Sequence, residues 1–204
     1  MHKFAILSYM KSLSLSKPHM LIMVGVPGSG KTFFAEKFAE TFRAPYVSSE
    51  KIAAIANGDS KSTEALSQYQ IEELMKTQQS IIVESASDTR AERSELTRKA
   101  RSNGYEALLV WVQTDPVTAK SRFIKDSKAI SGNKPSTDDF SRLTKRFTAP
   151  NSSEKYIVVS GKHTYASQAK VVLKKLSGPR AEISAHTIAP VRMQEPGRRN
   201  ITIR

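Results

Sequence analysis

The sequence predicts an α/β protein, a three-layer α/β/α sandwich built on a mostly parallel, five-stranded sheet with a small helical lid. Three observations carry that expectation. Five short apolar runs recur along the 204 residues, segments with helical spacing alternate with them, and each chemically promising cluster follows the end of an apolar run. In open parallel sheets ligands sit beyond the carboxyl ends of the strands, so the third observation agrees with the first two.

The elements follow in order. Strands are expected at Met20–Val24, Pro45–Ser48, Ser80–Glu84, Glu106–Val112 and Lys155–Val159. The first intervening helix, Lys31–Phe42, places Phe34, Phe38 and Phe42 one turn apart, an apolar stripe suited to packing on a sheet. Thr63–Gln78 carries Leu66, Tyr69, Leu74 and Met75 among glutamates. Further helices fit Arg90–Ser102, Asp115–Lys125, Thr137–Phe147 and Thr164–Leu176, the last with Ala169, Val172, Leu173 and Leu176 on one side. Trp111, inside an apolar strand, is expected in the core rather than as a base-stacking platform.

These patterns divide the chain into an extension over residues 1–19, one domain over 20–177, and a basic tail over 178–204 expected to be flexible. The extension is basic, bears serines and lacks acids; it reads as a loose extension, an over-long start before Met20, or a transit-like leader. In the tail, Gly178, Pro179, Pro190, Pro196 and Gly197 break any periodicity. That segment either stays solvated, contacts nucleic acid, or adds a strand through Ile201, Thr202 and Ile203.

Composition excludes several chemistries. Without cysteine there are no disulfides, thiolate zinc sites or cysteine nucleophiles. The four histidines, His2, His19, His163 and His186, show no metal-ligand spacing. No apolar run is long enough to span a bilayer, so no membrane partner and a cytoplasmic location are expected. The net charge of +13 is spread along the chain and favours polyanions or phosphorylated substrates.

The strongest local signal is Gly25-Val26-Pro27-Gly28-Ser29-Gly30-Lys31-Thr32, which matches GxxxxGK[ST] between an apolar strand and a helix. Its glycines allow successive backbone N–H groups to turn toward phosphate oxygens. Lys31 brings charge to the β and γ phosphates, Thr32 brings a hydroxyl to Mg²⁺, and the helix start adds its positive end. A nucleoside triphosphate is therefore the expected ligand. The loop does not choose between ATP and GTP.

From about Met20 to Leu176 the chain resembles the small P-loop kinase-like family that includes polynucleotide 5′-kinases and zeta-toxin relatives, AAA-type ATP-binding proteins. The resemblance lies in LIMVGVPGSGKTFFAEKF, YVSSEKI, SIIVESASDTRAERSEL, VWVQTDPVTAKSRFIKDS and KPSTDDFSRLTKRFTAP. It implies ATP and Mg²⁺ as cofactors and transfer of the γ phosphate to an acceptor hydroxyl. Glu50 stands where relatives carry an aspartate base; it is either that base or a glutamate favoured by a helix start. Ala53 stands where polynucleotide kinases carry an arginine, a departure that leaves the acceptor open between a nucleic acid 5′ end and a phosphorylated small molecule. Glu84 corresponds to the acid that holds Mg²⁺ through water. Arg93 corresponds to an arginine near the acceptor, or is an exposed helix arginine; Arg122, with Lys125 and Lys128, corresponds to the lid charge that neutralises the leaving phosphates, or belongs to an exposed basic helix face. The alternative is a module that hydrolyses or senses ATP while binding RNA or protein.

Overall fold

The computed structural model describes residues 17–126 and 135–177. Residues 1–16 of the extension, the segment 127–134 with Lys128, and the basic tail 178–204 lie outside the described residues. Five strands, β1 (His19–Val24), β2 (Tyr46–Ser48), β3 (Ile81–Glu84), β4 (Glu106–Gln113) and β5 (Tyr156–Ser160), form one sheet in the order β2-β3-β1-β4-β5. Every pairing is parallel.

β1 explains that arrangement. Its run HMLIMV is apolar at nearly every position because both faces of a central parallel strand are covered. Met20, Ile22 and Val24 enter one core with Val47, Ile81, Val83 and Leu109. Leu21 and Met23 enter the other with Ile82, Leu108, Val110 and Val159.

The helices sort onto these faces by their apolar stripes. The first face is covered by α2 (Ser49–Ile55), α3 (Ser60–Met75) and α4 (Arg90–Ser102) through Ile52, Ile71, Met75, Leu96 and Ala100. The second is covered by α1 (Lys31–Phe42) and α7 (Tyr165–Leu176) through Phe34, Phe38, Ala169, Val172 and Leu173. The rings of Phe34, Phe38 and Phe42 follow one another along α1 at 5.3 and 4.4 Å, as their spacing predicts. α1 leaves β1 across one face and α4 crosses over β1 on the other, so the strand order reverses at β1. The carboxyl end of β1 is thus the topological switch point.

Between β4 and β5 lie α5 (Pro116–Asp126) and α6 (Thr137–Arg146), joined at Phe123 and Phe140, whose rings are 5.8 Å apart. The expected strands and helices are present with ends shifted by a few residues, most of all in α3, which starts at Ser60 and not Thr63. The short helix α2 was not among the helices expected from periodicity. It carries one buried side chain, Ile52, which is too few for a pattern, and starts on the Ser48 hydroxyl, which accepts from the Lys51 amide.

Arg93 has a role in the fold. Fully buried on α4, it grips Glu154 with Nε and Nη2 at 2.7 and 3.1 Å, while Nη1 donates to the carbonyls of Ser87, Asp88 and Thr148. It ties the loop after β3 to the segment that leads into β5. Only a guanidinium offers a forked donor set that can do both. Burial pushes the Glu154 carboxyl up, but the bonds from Arg93 and the Asn151 amide outweigh it and hold its pKa below the ordinary value. A depressed carboxyl pKa contributes stability above the unfolded pKa that is lost as pH falls through the folded one. Glu154→Gln, which leaves the buried guanidinium uncompensated, should cost about 3–5 kcal/mol in urea unfolding. It should also flatten the acid limb of the stability profile.

Candidate functional site

Six of the seven helices among the described residues begin with a side-chain oxygen on a first-turn amide. The caps are Ser48, Asp59, Thr89, Asp115, Ser136 and Thr164. α1 begins at Gly30, with φ 103° and no side-chain cap. Its amides open into the loop from Gly25 to Lys31, at the switch point, which is the arrangement that receives an anion.

The loop is braced from two sides. Gly28, at φ 72°, lies so close to α5 that a Cβ there would collide with the Ala119 carbonyl oxygen. On the other side, Thr114 Oγ1 donates to the Ser29 carbonyl at 2.9 Å, and a Cβ on Gly161 would collide with that same carbonyl and with the Thr114 hydroxyl. The Ser29 hydroxyl is buried without a protein partner. Gly161 also accepts Arg122 Nη1 on its carbonyl at 2.9 Å, which places Arg122, the arginine expected in a lid, beside the loop. Lys125 is exposed on the same helix.

Lys31 folds over the loop, donating to the carbonyls of Gly25 and Val26 at 2.7 and 3.2 Å, which leaves one of its three donors for a phosphate oxygen. Burial draws its pKa below the ordinary value, and the carboxylates of Glu84, Asp88 and Glu50 oppose that shift. Those three acids therefore lie within electrostatic reach of the ammonium.

Thr32 Oγ1 donates to Glu84 Oε1 at 2.8 Å, and the Tyr46 hydroxyl donates to Glu84 Oε2. The two residues proposed to serve a metal thus meet, and the tyrosine holds the far carboxylate oxygen. Burial raises the Glu84 pKa, against Lys31 and the bonds from Tyr46 and Thr32. Burial and the neighbouring carboxylate also push the Tyr46 phenol far upward, so it stays a donor. Among the described residues no cluster of three acidic or histidine side chains could hold a metal alone. A magnesium ion fits here only with phosphate oxygens completing its shell, which is its ordinary habit.

The region expected to receive an acceptor is built differently from expectation. Glu50 is exposed on the first turn of α2. Lys51 pairs with Glu36 at 2.9 Å and lies over the Tyr46 ring, so it does not replace the arginine missing at Ala53. Arg93, with its donors taken inside the fold, does not face an acceptor. Arg146, which sequence reasoning passed over, pairs with Glu92 and lies in the field of Asp88 and Glu64. Trp111 is half-buried, not sealed in the core, and meets Tyr156 edge-on at 5.8 Å. Tyr46, Thr114 and Gly161 were also missed; each sits at a strand end, but no motif marks them.

A parallel 2-3-1-4-5 sheet with this loop at its switch point defines a P-loop kinase-like domain. The chain belongs to the AAA domain family, whose pattern matches residues 20–150. It is similar to a sugar kinase from Janibacter sp. HTCC2649, with a TM-score of 0.56 and 18% identity over 77% of this chain and 93% of that one. A gluconokinase from Sinorhizobium meliloti 1021 matches with a TM-score of 0.56 and 18% identity over 78% and 92%. Chaetomium thermophilum Kti12 in complex with ADP-AlF3 matches with a TM-score of 0.59 and 17% identity over 77% and 96%. No curated protein matches the sequence. Among the described residues no helix is long and apolar enough to cross a membrane.

Two substitutions test this geometry. Gly161→Ala forces overpacking of about 1–3 kcal/mol against the loop, and calorimetry should record nucleotide binding weakened by roughly tenfold. Tyr46→Phe frees one oxygen of Glu84. It should weaken Mg²⁺-dependent nucleotide binding by about tenfold while leaving Mg²⁺-free binding unchanged.

Proposed function

We propose that this protein is an ATP·Mg²⁺-dependent kinase that transfers the γ phosphate to an acceptor hydroxyl. The observation that carries the reading is the uncapped start of α1 with Lys31, the Thr32–Glu84 pair and Glu50 gathered around it. The kinase-like fold supports it too, and the gluconokinase and sugar kinase neighbours extend their activity to this chain only as analogy.

In this reading the residues Gly25, Val26, Pro27, Gly28, Ser29, Gly30, Lys31 and Thr32 wrap the phosphates. Magnesium, bound through the Thr32 hydroxyl, phosphate oxygens and a water held by Glu84, would offset charge on the β and γ phosphates. Glu50 takes the proton of the acceptor hydroxyl as its oxygen bonds to the γ phosphorus. The bond from that phosphorus to the bridging oxygen breaks, and ADP leaves with the electron pair. Arg122, held beside the loop by Gly161, neutralises the leaving phosphates. A cytoplasmic site of action goes with this reading.

One observation favours a second reading, an ATP-hydrolysing or ATP-sensing module that binds RNA or protein. The cations on the acceptor side, Lys51, Arg93 and Arg146, are all engaged by acids of the fold itself. Mass spectrometry of a cell extract and end-labelling of 5′-hydroxyl oligonucleotides, each with ATP, separate the two. Lys31→Ala should lose ATP binding and every product. Glu50→Gln should keep ATP binding but lose transfer by roughly a hundredfold or more. Phosphate release that survives Glu50→Gln, with no phosphorylated acceptor in any sample, replaces the kinase with the module.

A further inference from the structure

On the face of the sheet opposite α1, the helices α2, α3 and α4 cover β2, β3, β1 and part of β4, and toward the carboxyl ends of β4 and β5 lies a groove of about 550 Å³. Volumes of that order suit a nucleoside-sized ligand. The groove is graded in layers by strand register. Trp111 and Val158 are partners across β4 and β5 and form an apolar floor, with Phe147 beside them. The next pair outward, Gln113 and Ser160, is polar. Beyond it Asp115 and Lys162 form an ion pair at the rim. Val26, a residue of the phosphate loop, also lines the groove, and Trp111 is the register partner of Val24, where β1 enters that loop. Val158 is 42% exposed, an unusual state for a valine on a strand.

We propose that this groove binds the nucleobase of the acceptor, stacked on Trp111 with its polar edge toward Gln113 and Ser160. The inference rests on the kinase reading above and names its substrate class. A base has a flat apolar face and a hydrogen-bonding edge, which is the layering the groove presents. A polyol suits it poorly, because hydroxyls lying on Trp111, Phe147 and Val158 would lose water without gaining partners. The continuity of the groove with Val26 puts the sugar of a stacked nucleoside toward the γ phosphate. The basic charge of the chain also suits a base carried on a polynucleotide end.

Trp111 is the only tryptophan of the chain, so its emission reports on the groove. The full chain, saturated with Mg²⁺ and a non-hydrolysable ATP analogue, is titrated with ribonucleosides, with a 5′-hydroxyl oligonucleotide and with gluconate. The expected result is saturable quenching by a nucleoside or the oligonucleotide and none by gluconate or by the analogue alone. The tighter of the two quenchers tells a free nucleoside from a polynucleotide end. Val158→Gln, at an exposed position, should weaken that binding by roughly tenfold or more, with its urea midpoint as the folding control. Quenching by the ATP analogue alone would assign the groove to the base of ATP and overturn the proposal. Absence of quenching by every nucleoside and oligonucleotide overturns it as well. If gluconate or another base-free acceptor is phosphorylated, the kinase reading stands and the groove assignment falls. If a nucleoside binds but is never phosphorylated, the groove stands and the kinase reading falls.

Discussion

The amides left open at the start of α1 set the terms for everything around them. An uncapped helix start is costly unless a ligand or water takes its donors, and here the chain holds it open with Gly30 and packs the rest of the loop tightly. The bracing is done by groups far away in sequence. Ala119 crowds Gly28, Thr114 holds the Ser29 carbonyl, and Gly161 gives way so that the loop can rest on the ends of β4 and β5. A loop of mobile residues would lose conformational entropy on closing around phosphate; one held by its neighbours has lost it during folding.

Charge in the site is balanced in the same way. Lys31 is partly shielded from water, and the carboxylates of Glu84, Asp88 and Glu50 lie near enough to favour its charged form. Burial and Glu50 push the Glu84 carboxyl up, and Lys31, Tyr46 and Thr32 oppose that shift. Three acids around one ammonium are a poor host for a bare triphosphate. A divalent cation entering with the nucleotide would relieve the mismatch, which supports the proposed Mg²⁺ dependence on charge alone.

How much of this was legible in the sequence depends on whether a residue acts through its neighbours in the chain or through distant ones. β1, the loop and α1 are contiguous, and their apolar run, glycines and phenylalanine spacing spell them out. Thr32 and Glu84 were each readable at a strand or helix end, and the structure joins them. Tyr46 and Gly161 act across the strand order, which no local pattern encodes. Arg93 was misread for the same reason. An arginine on the first turn of a helix looks exposed until Glu154, far along the chain, folds back onto it.

The net charge is the clearest case of a global quantity that misleads locally. A value of +13 suggests a basic site, yet the β2–β3 side of the cleft carries Glu50, Asp88, Glu64 and Glu92, with Arg146 among them already paired. An anionic acceptor approaching from that side would meet its own sign of charge at short range. On the β4–β5 side the groove is floored by uncharged side chains, and the ions that line it among the described residues, Asp115 and Lys162, neutralise each other. On the proposed reading the long-range field would draw a polyanion to the molecule, while the local charges would steer its neutral part into the cleft. A nucleobase at the end of a charged chain would satisfy both conditions, which supports the proposal that acceptor selectivity lies in the groove beside Trp111 and not in the acidic mouth.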